Sequence, residues 1–295
     1  MNEQQLITFV EVARKRHFRQ AAEVLNLTQP AVSAQIRSLE EELGTKLFIR
    51  SQVRLTPAGT TFLPYAKKIL DLMEESKEAA GGWERKPKGP LTLGIPSGLS
   101  QAILPRLAKY FRTRHPELPL RLLTVDSTRT VSHLSEGLID LGVMFDLGPV
   151  PAHLRTQTLF VDSFVLIAAR NHPSFTDKSH VSPEELEKCP LILFAAGTAE
   201  RMLLDSLLEK HQIRVRGVME ITGTEEIKQL VAEGFGMALV PSVTVDDTVS
   251  VRKVRITRFE HSVTISLCHP EPKYLTRTAK QVIEDIRGIY PADGP

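Results

Sequence analysis

Two short helical patterns with a three-residue break between them do most to limit what this chain can fold into. Phe18, Ala21, Ala22 and Leu25 place apolar side chains at helical spacing, and Asn26-Leu27-Thr28 interrupts them. Val32, Ile36, Leu39 and Leu43 then make the inner face of a second helix. Thr28 suits its N-cap, Pro30 its first turn and Gly44 its stop. A bracing helix followed closely by a second helix with a polar outer face can lay that second helix in a DNA major groove. Here the outer face carries Pro30, Ser33, Ala34, Arg37 and Ser38, with Gln29 at the exposed N-terminal end beside Thr28. Gln pairs bidentately with adenine, Ser with either base type, Arg with guanine or phosphate. Many protein cores contain a bare helical pair, so the surrounding sequence decides.

The surroundings agree. Leu6, Phe9, Val10 and Ala13 predict a preceding helix. Leu47-Phe48-Ile49 and Val53-Arg54-Leu55 predict two short strands around a turn, the place for a β-wing. Net charge over the whole chain is only +2, but residues 14–68 hold ten Lys or Arg against four Glu, a local excess of +6 that favours a phosphate backbone. The alternative is a solvated face of mixed charge. Thr56-Pro57 opens a long helix reaching about Ala80, in which Phe62, Tyr65, Ile69 and Leu72 are spaced 3, 4, 3. That is a seam for pairing two chains. The other reading lays the helix on its own domain. Gly81-Gly82 and Lys86-Pro87-Lys88-Gly89-Pro90 predict a hinge after it.

The stretch from Ala21 to Glu40, AAEVLNLTQPAVSAQIRSLE, closely resembles the signature of LysR-type transcriptional regulators. Leu43-Gly44, Leu47-Phe48-Ile49-Arg50 and Leu55-Thr56-Pro57-Ala58-Gly59 resemble the wing and linker-helix entry of the same family. Beyond residue 70 the likeness thins to landmarks: Gly137-Leu138-Ile139-Asp140-Leu141, His172-Pro173 and Gly234 to Pro241. The resemblance implies an all-α winged helix-turn-helix over residues 1–58 and a dimerising linker helix with hinge over 59–90. It implies an α/β effector domain of periplasmic-binding-protein (type 2) fold over 91–295, with lobe I at 91–161 and 267–295 and lobe II at 162–266. It further implies assembly as a homodimer or homotetramer on double-stranded promoter DNA, in the cytoplasm of a bacterium, with RNA polymerase as a further partner. Gln29, Pro30, Ser33 and Arg37 match the family's DNA contacts, joined by Arg50 and Arg54 at the wing. Two departures stand out. Ala34 replaces an arginine common in the family, and only Ser51-Gln52 separates Arg50 from Val53 in a wing about two residues short.

From Leu91 onward, strands alternate with helices, which predicts α/β architecture with a mainly parallel sheet and two lobes. Such domains bind ligands at strand ends and helix N-termini. Ser97, Gly98 and Ser100 follow the first strand, Ser127 and Thr128 the second, and Gly197 and Thr198 open a helix in the second lobe. Their hydroxyls and free N–H groups suit an anion such as a small organic acid, although Ser97, Ser127 and Thr128 also suit plain helix caps. Asp126 would repel a carboxylate unless Arg129 compensates.

An enzyme, or a DNA-independent solute-binding protein, is the competing class on such a fold. Ser97 and Ser100 lack a Gly-x-Ser-x-Gly elbow, the nine histidines show no His-Glu-x-x-His spacing, and Gly234-Phe235-Gly236 is too short for a dinucleotide loop. His133 and His261 suit surface or packed positions better than catalytic bases. No catalytic residue, metal or cofactor is expected. Cys189 and Cys268 suit reduced thiols, and neither an apolar stretch of membrane-spanning length nor a basic, apolar leader stands at the N-terminus.

Overall fold

The computed structural model describes residues 1–81, 91–175, 180–246, 248–259 and 262–290. Residues 82–90 of the expected hinge, and His261, lie outside the described residues. Helix α1 (Glu3–Lys15) starts on a reciprocal cap. Asn2 Oδ1 accepts from the Gln5 N–H at 2.9 Å, and Gln5 Oε1 accepts from the Asn2 N–H at 2.8 Å. Helix α2 (Phe18–Leu25) ends on a left-handed Asn26. Helix α3 (Gln29–Leu43) begins where the Ala31 N–H donates to Thr28 Oγ1 at 3.3 Å, and it stops at Gly44, whose φ of +66° suits glycine. Phe9, Ala21, Val32, Ile36 and Leu39 are all fully buried where the three helices meet. Phe9 also meets Phe48 and Phe62 with tilted rings, centroids 5.5 Å and 5.2 Å away, tying the wing and the long helix to this core.

The wing is shorter than the spacing predicts. Strands β1 (Phe48–Ile49) and β2 (Arg54–Leu55) pair antiparallel, while Leu47 and Val53 stay outside them. Val53 turns with φ +47°, uncommon for a β-branched residue, because only four residues connect Ile49 to its partner Arg54. Helix α4 (Pro57–Gly81) follows, its first turn fixed by the Gly59 N–H donating to Thr56 Oγ1 at 3.0 Å.

The remainder alternates strands and helices: β3 (Leu91–Ile95), α5 (Ser97–Arg114), β4 (Leu120–Thr124), α6 (Ser127–Ser135), β5 (Leu141–Phe145), β6 (Leu154–Ala169), β7 (His180–Val181), α7 (Pro183–Leu186), β8 (Pro190–Phe194), α8 (Ala199–Lys210), β9 (Arg216–Ile221), α9 (Thr224–Ala232), β10 (Ala238–Pro241), β11 (Val251–Ile256), β12 (Ser262–Pro270) and α10 (Arg277–Ile289). The main sheet runs β4-β3-β5-β12-β6-β11-β7, with β10 also on β6. The expectation of a mainly parallel sheet is corrected. The pairing is mixed: β3 lies parallel to β4 and β5, β11 to β7 and, in a separate two-stranded sheet, β8 to β9, but β12 is antiparallel to both β5 and β6, and β10 and β11 are antiparallel to β6. The long β6 is the reason. Residues 154–163 pair with β12, and residues 164–169 pair with β10 and β11, so one strand serves two lobes. Only its second half reads as a strand from the sequence, because the first half, LRTQT, is too polar to stand out.

Candidate functional site

Helix α3 turns its apolar side inward and leaves its polar side open. Val32, Ile36 and Leu39 are fully buried, while Thr28, Gln29, Pro30, Ala34, Arg37 and Ser38 are exposed and Ser33 is half-buried. Gln29 Nε2 donates to Ser33 Oγ at 2.9 Å, so these two side chains sit side by side on successive turns. Ser38 is partly engaged, since Gln5 Nε2 donates to its Oγ at 3.1 Å. Arg50 and Arg54 stand exposed at either side of the wing turn.

A residue that pattern reading misses holds this surface together. Glu40, almost wholly buried, accepts from the Leu47 N–H at 3.0 Å, the Phe48 N–H at 3.3 Å, Lys46 Nζ at 2.9 Å and Arg50 Nη2 at 3.4 Å. Burial by itself would raise its carboxyl, but the bonds from Lys46 and the two backbone N–H groups outweigh burial and hold it below the ordinary range. Glu40 therefore fixes the wing on the back of α3. Arg54 is also engaged. Its Nη2 lies 3.3 Å from Glu136 Oε1, just past α6, and Arg16 pairs with the other Glu136 oxygen.

Helix α4 lies against the α/β domain. Lys67 Nζ meets Asp140 Oδ1 at 2.6 Å, and Asp71 Oδ2 accepts from the Arg277 N–H at 3.0 Å. Gly137, with φ +69°, sits so close to Leu63 that a Cβ there would lie 2.3 Å from Leu63 Cδ2. The four seam residues divide. Phe62 and Ile69 pack against the core of the helical domain, Tyr65 meets Tyr274 edge to face with hydroxyls 3.0 Å apart, and Leu72 is 50% exposed.

In the α/β domain the structure brings Thr128, Gly197 and Thr198 to one polar cleft of about 410 Å³, together with Asp126, Arg129 and His133. Gly197, at φ +87°, makes the turn into α8. The cap reading is corrected in detail. Asp126, not Ser127 or Thr128, caps α6, accepting from the Thr128 N–H at 2.8 Å, and Thr198 caps α8. Ser127 is buried and its Oγ accepts from the Phe145 N–H at 3.0 Å. Pro96 occupies the cap position of α5, so Ser97 does not cap it, and Ser100 Oγ donates back to the Pro96 carbonyl at 3.0 Å. Ser97, Gly98 and Ser100 do not line that polar cleft. Gly98 instead faces α8 and α9, where a Cβ would lie 2.7 Å from Thr224 Oγ1 and 3.4 Å from Glu200 Oε1. The sequence does not single out Glu200, which looks there like one more acidic first-turn residue.

Among the described residues, no group of three His, Cys, Asp or Glu is placed to hold a metal, and no helix is long and apolar enough to cross a membrane. Cys268 is buried, which pushes its thiol up to about 12.

A winged helix-turn-helix joined by a long helix to a two-lobed α/β domain is the build of a DNA-binding regulator with a ligand-sensing half. The family model for bacterial regulatory helix-turn-helix proteins of the lysR family matches residues 4–60, and that for the LysR substrate binding domain matches residues 84–289. The chain belongs to the LysR family of transcriptional regulators. It is 30% identical to the uncharacterized HTH-type transcriptional regulator YwqM of Bacillus subtilis (strain 168), over 98% of this chain and 100% of that protein. A full-length OxyR variant from Pseudomonas aeruginosa has the same fold, with TM-score 0.79 and 24% identity over 98% of this chain and 94% of that one. The regulatory domain of Synechocystis PCC6803 CcmR, solved in complex with 2-PG, matches with TM-score 0.62 and 21% identity over 69% of this chain and 98% of that one.

Proposed function

We propose that this regulator reads operator DNA through Gln29, Pro30, Ser33, Ala34, Arg37 and Ser38 of α3, with Thr28 at its start and Arg50 and Arg54 at the wing. The observation that carries the reading is the row of exposed Gln29, half-buried Ser33 and exposed Arg37, set at i, i+4 spacing on a helix whose opposite face is sealed in a core. Residues 1–58 form the DNA-binding unit, 59–90 the dimerising linker and hinge, and 91–295 the sensing domain. With Ala34 apolar, base reading falls to Gln29 and Ser33, and to contact between the Ala34 methyl and thymine. Two heads on a homodimer or homotetramer meet two half-sites in the bacterial cytoplasm. A small acidic effector between the lobes, at Thr128, Gly197 and Thr198, alters the angle between heads and hence DNA bend and contact with RNA polymerase. The 2-PG bound by the CcmR domain supports an anionic effector. The chain acts by binding, without turnover. A ligand shifts such an equilibrium only by its differential affinity for the two arrangements.

Fluorescence anisotropy with the promoter of the chain's own gene tests this. Ser33→Ala with Arg37→Ala is expected to weaken specific binding by at least tenfold, since each base contact supplies about 1–3 kcal/mol, at unchanged assembly mass. Specific binding that survives the double change removes the assignment of α3, and turnover of a substrate without DNA binding removes the regulator reading.

A further inference from the structure

Two polar side chains of α1 reach across to α3. Thr8 is fully buried, and its hydroxyl donates to Gln35 Oε1. Gln5, only 8% exposed, donates from Nε2 to Ser38 Oγ at 3.1 Å. Residues 5 and 8 lie one turn apart on α1, and 35 and 38 one turn apart on α3, so the two bridges run side by side. A buried polar pair with its bonds made holds a single arrangement of the helices that carry it.

The Gln5 bridge has a fixed direction. Its Oε1 is committed to the Asn2 N–H at 2.8 Å, half of the reciprocal cap that opens α1. Turning the amide over would set its NH2 against that N–H, donor to donor. Nε2 therefore faces Ser38, and the Ser38 oxygen accepts. The hydroxyl keeps its one proton for another partner. That partner does not lie within α3. Ser100, Thr113 and Ser135 each donate to the carbonyl four residues back, at 3.0, 2.9 and 2.9 Å. Ser38 does not, and among the described residues no acceptor takes its proton, although the residue is exposed. Ser38 also lies well along the helix, about 14 Å of axial rise beyond Gln29. When the first residues of a helix sit on base edges in a groove about 12 Å wide, a residue that far along reaches the sugar-phosphate backbone.

We propose that Gln5 is a positioning residue for DNA binding: by donating to Ser38 it leaves that hydroxyl as a donor, and the donor meets a phosphate oxygen. This rests on the proposed placement of α3 on DNA and assigns Ser38 to the backbone and not to a base. Gln5 itself touches no DNA. A phosphate offers acceptor oxygens in every sequence, so a serine held as a donor fits it and fixes the register of α3 without reading a base.

Fluorescence anisotropy of the full chain on the promoter of its own gene and on an unrelated duplex tests this. Ser38→Ala is expected to weaken both by the same factor, roughly three- to tenfold for one hydrogen bond. Gln5→Glu keeps the acceptor for the Asn2 N–H, and glutamate suits that position of the cap. The carboxylate cannot donate to Ser38 and draws the hydroxyl proton inward. Binding is expected to fall as far as in Ser38→Ala, and no further when the two changes are combined. Gln5→Met removes the donor without adding charge and covers the case in which Gln5→Glu folds poorly. Its loss is expected to be smaller, since the hydroxyl can then turn either way, and to vanish in the Ser38→Ala background. Losses of equal size in both backgrounds would mean that position 5 acts by charge or fold, and would overturn the proposal, as would full binding by Gln5→Glu. A Ser38→Ala loss confined to the promoter would overturn the phosphate contact. If Ser38→Ala binds normally while Ser33→Ala with Arg37→Ala does not, this proposal fails and the reading of α3 stands; if neither loses binding, both fail.

Discussion

Two buried glutamates show how surroundings set the role of a residue. Glu40 is held charged by Lys46 and by the Leu47 and Phe48 N–H groups, against the pull of burial. Its folded-state value lies below the unfolded one, so its stabilisation is present above the ordinary carboxyl range and is lost as pH falls through that range. Glu40→Ala leaves two wing N–H groups and Lys46 without their acceptor. Urea unfolding at pH 7 is expected to show a loss of about 3 kcal/mol, as for breaking a buried charged network. An unchanged midpoint would mean that the wing does not depend on Glu40. Glu200 has the opposite sign. Burial raises it from 4.5 to about 7, so the unfolded chain releases this proton at lower pH, and stability falls as pH climbs from 4.5 to 7. Glu200→Gln removes that drop. The variant is expected to match the parent near pH 4.5 and to exceed it by up to about 3 kcal/mol at pH 8, read by thermal unfolding at both. A constant difference across that range would place the effect elsewhere. Neither glutamate is visible as special in the sequence. The partners of Glu40 lie six to ten residues on, beyond any helical period, and the neighbours of Glu200 come from two other helices.

Elements are legible where one period runs unbroken. The caps of α3 at Thr28 and Gly44 follow from local chemistry alone. The wing and β6 are harder. A two-residue strand has no period, and a strand that changes partners halfway has two environments. Helix α4 shows a further limit. Phe62, Tyr65, Ile69 and Leu72 share one face, yet spacing does not say what covers a face. In the fold, Phe62 meets Phe9, Ile69 packs on the helical domain, and Tyr65 meets Tyr274. Leu72 and Tyr65 are the two that stay exposed, at 50% and 47%, and Leu72 has no aromatic partner, so it is the residue that the proposed pairing would use. The two functions of the helix therefore separate by residue. Leu72→Asp is expected to lower the assembly mass in light scattering while the melting temperature of the fold barely moves. Phe62→Ala, which empties part of an aromatic cluster, is expected to cost about 2–3 kcal/mol in unfolding. A native mass for Leu72→Asp would take the pairing seam away from this helix.

Across the whole molecule, the two halves meet through charges that DNA would also seek. Arg54, proposed above as a DNA contact at the wing, is held by Glu136, and Arg16, the residue that closes α1 of the helical domain, shares the same carboxylate. Glu136 is the last residue before Gly137, the glycine pressed on Leu63, and α6 carries the cleft residue Thr128 at its other end. One short helix thus spans from the polar cleft to the helical domain. When DNA takes Arg54, the Glu136 pair must open, and this opposes binding by the strength of an exposed ion pair, about 0.2–1 kcal/mol. Glu136→Gln removes that opposition. Operator affinity at low salt is expected to rise roughly 1.4- to fivefold by anisotropy, as that energy range implies. In Arg54→Ala the same Glu136→Gln change is expected to add nothing, because the partner is already gone. A gain of equal size in both backgrounds would mean that Glu136 acts on DNA by its charge alone and not through Arg54.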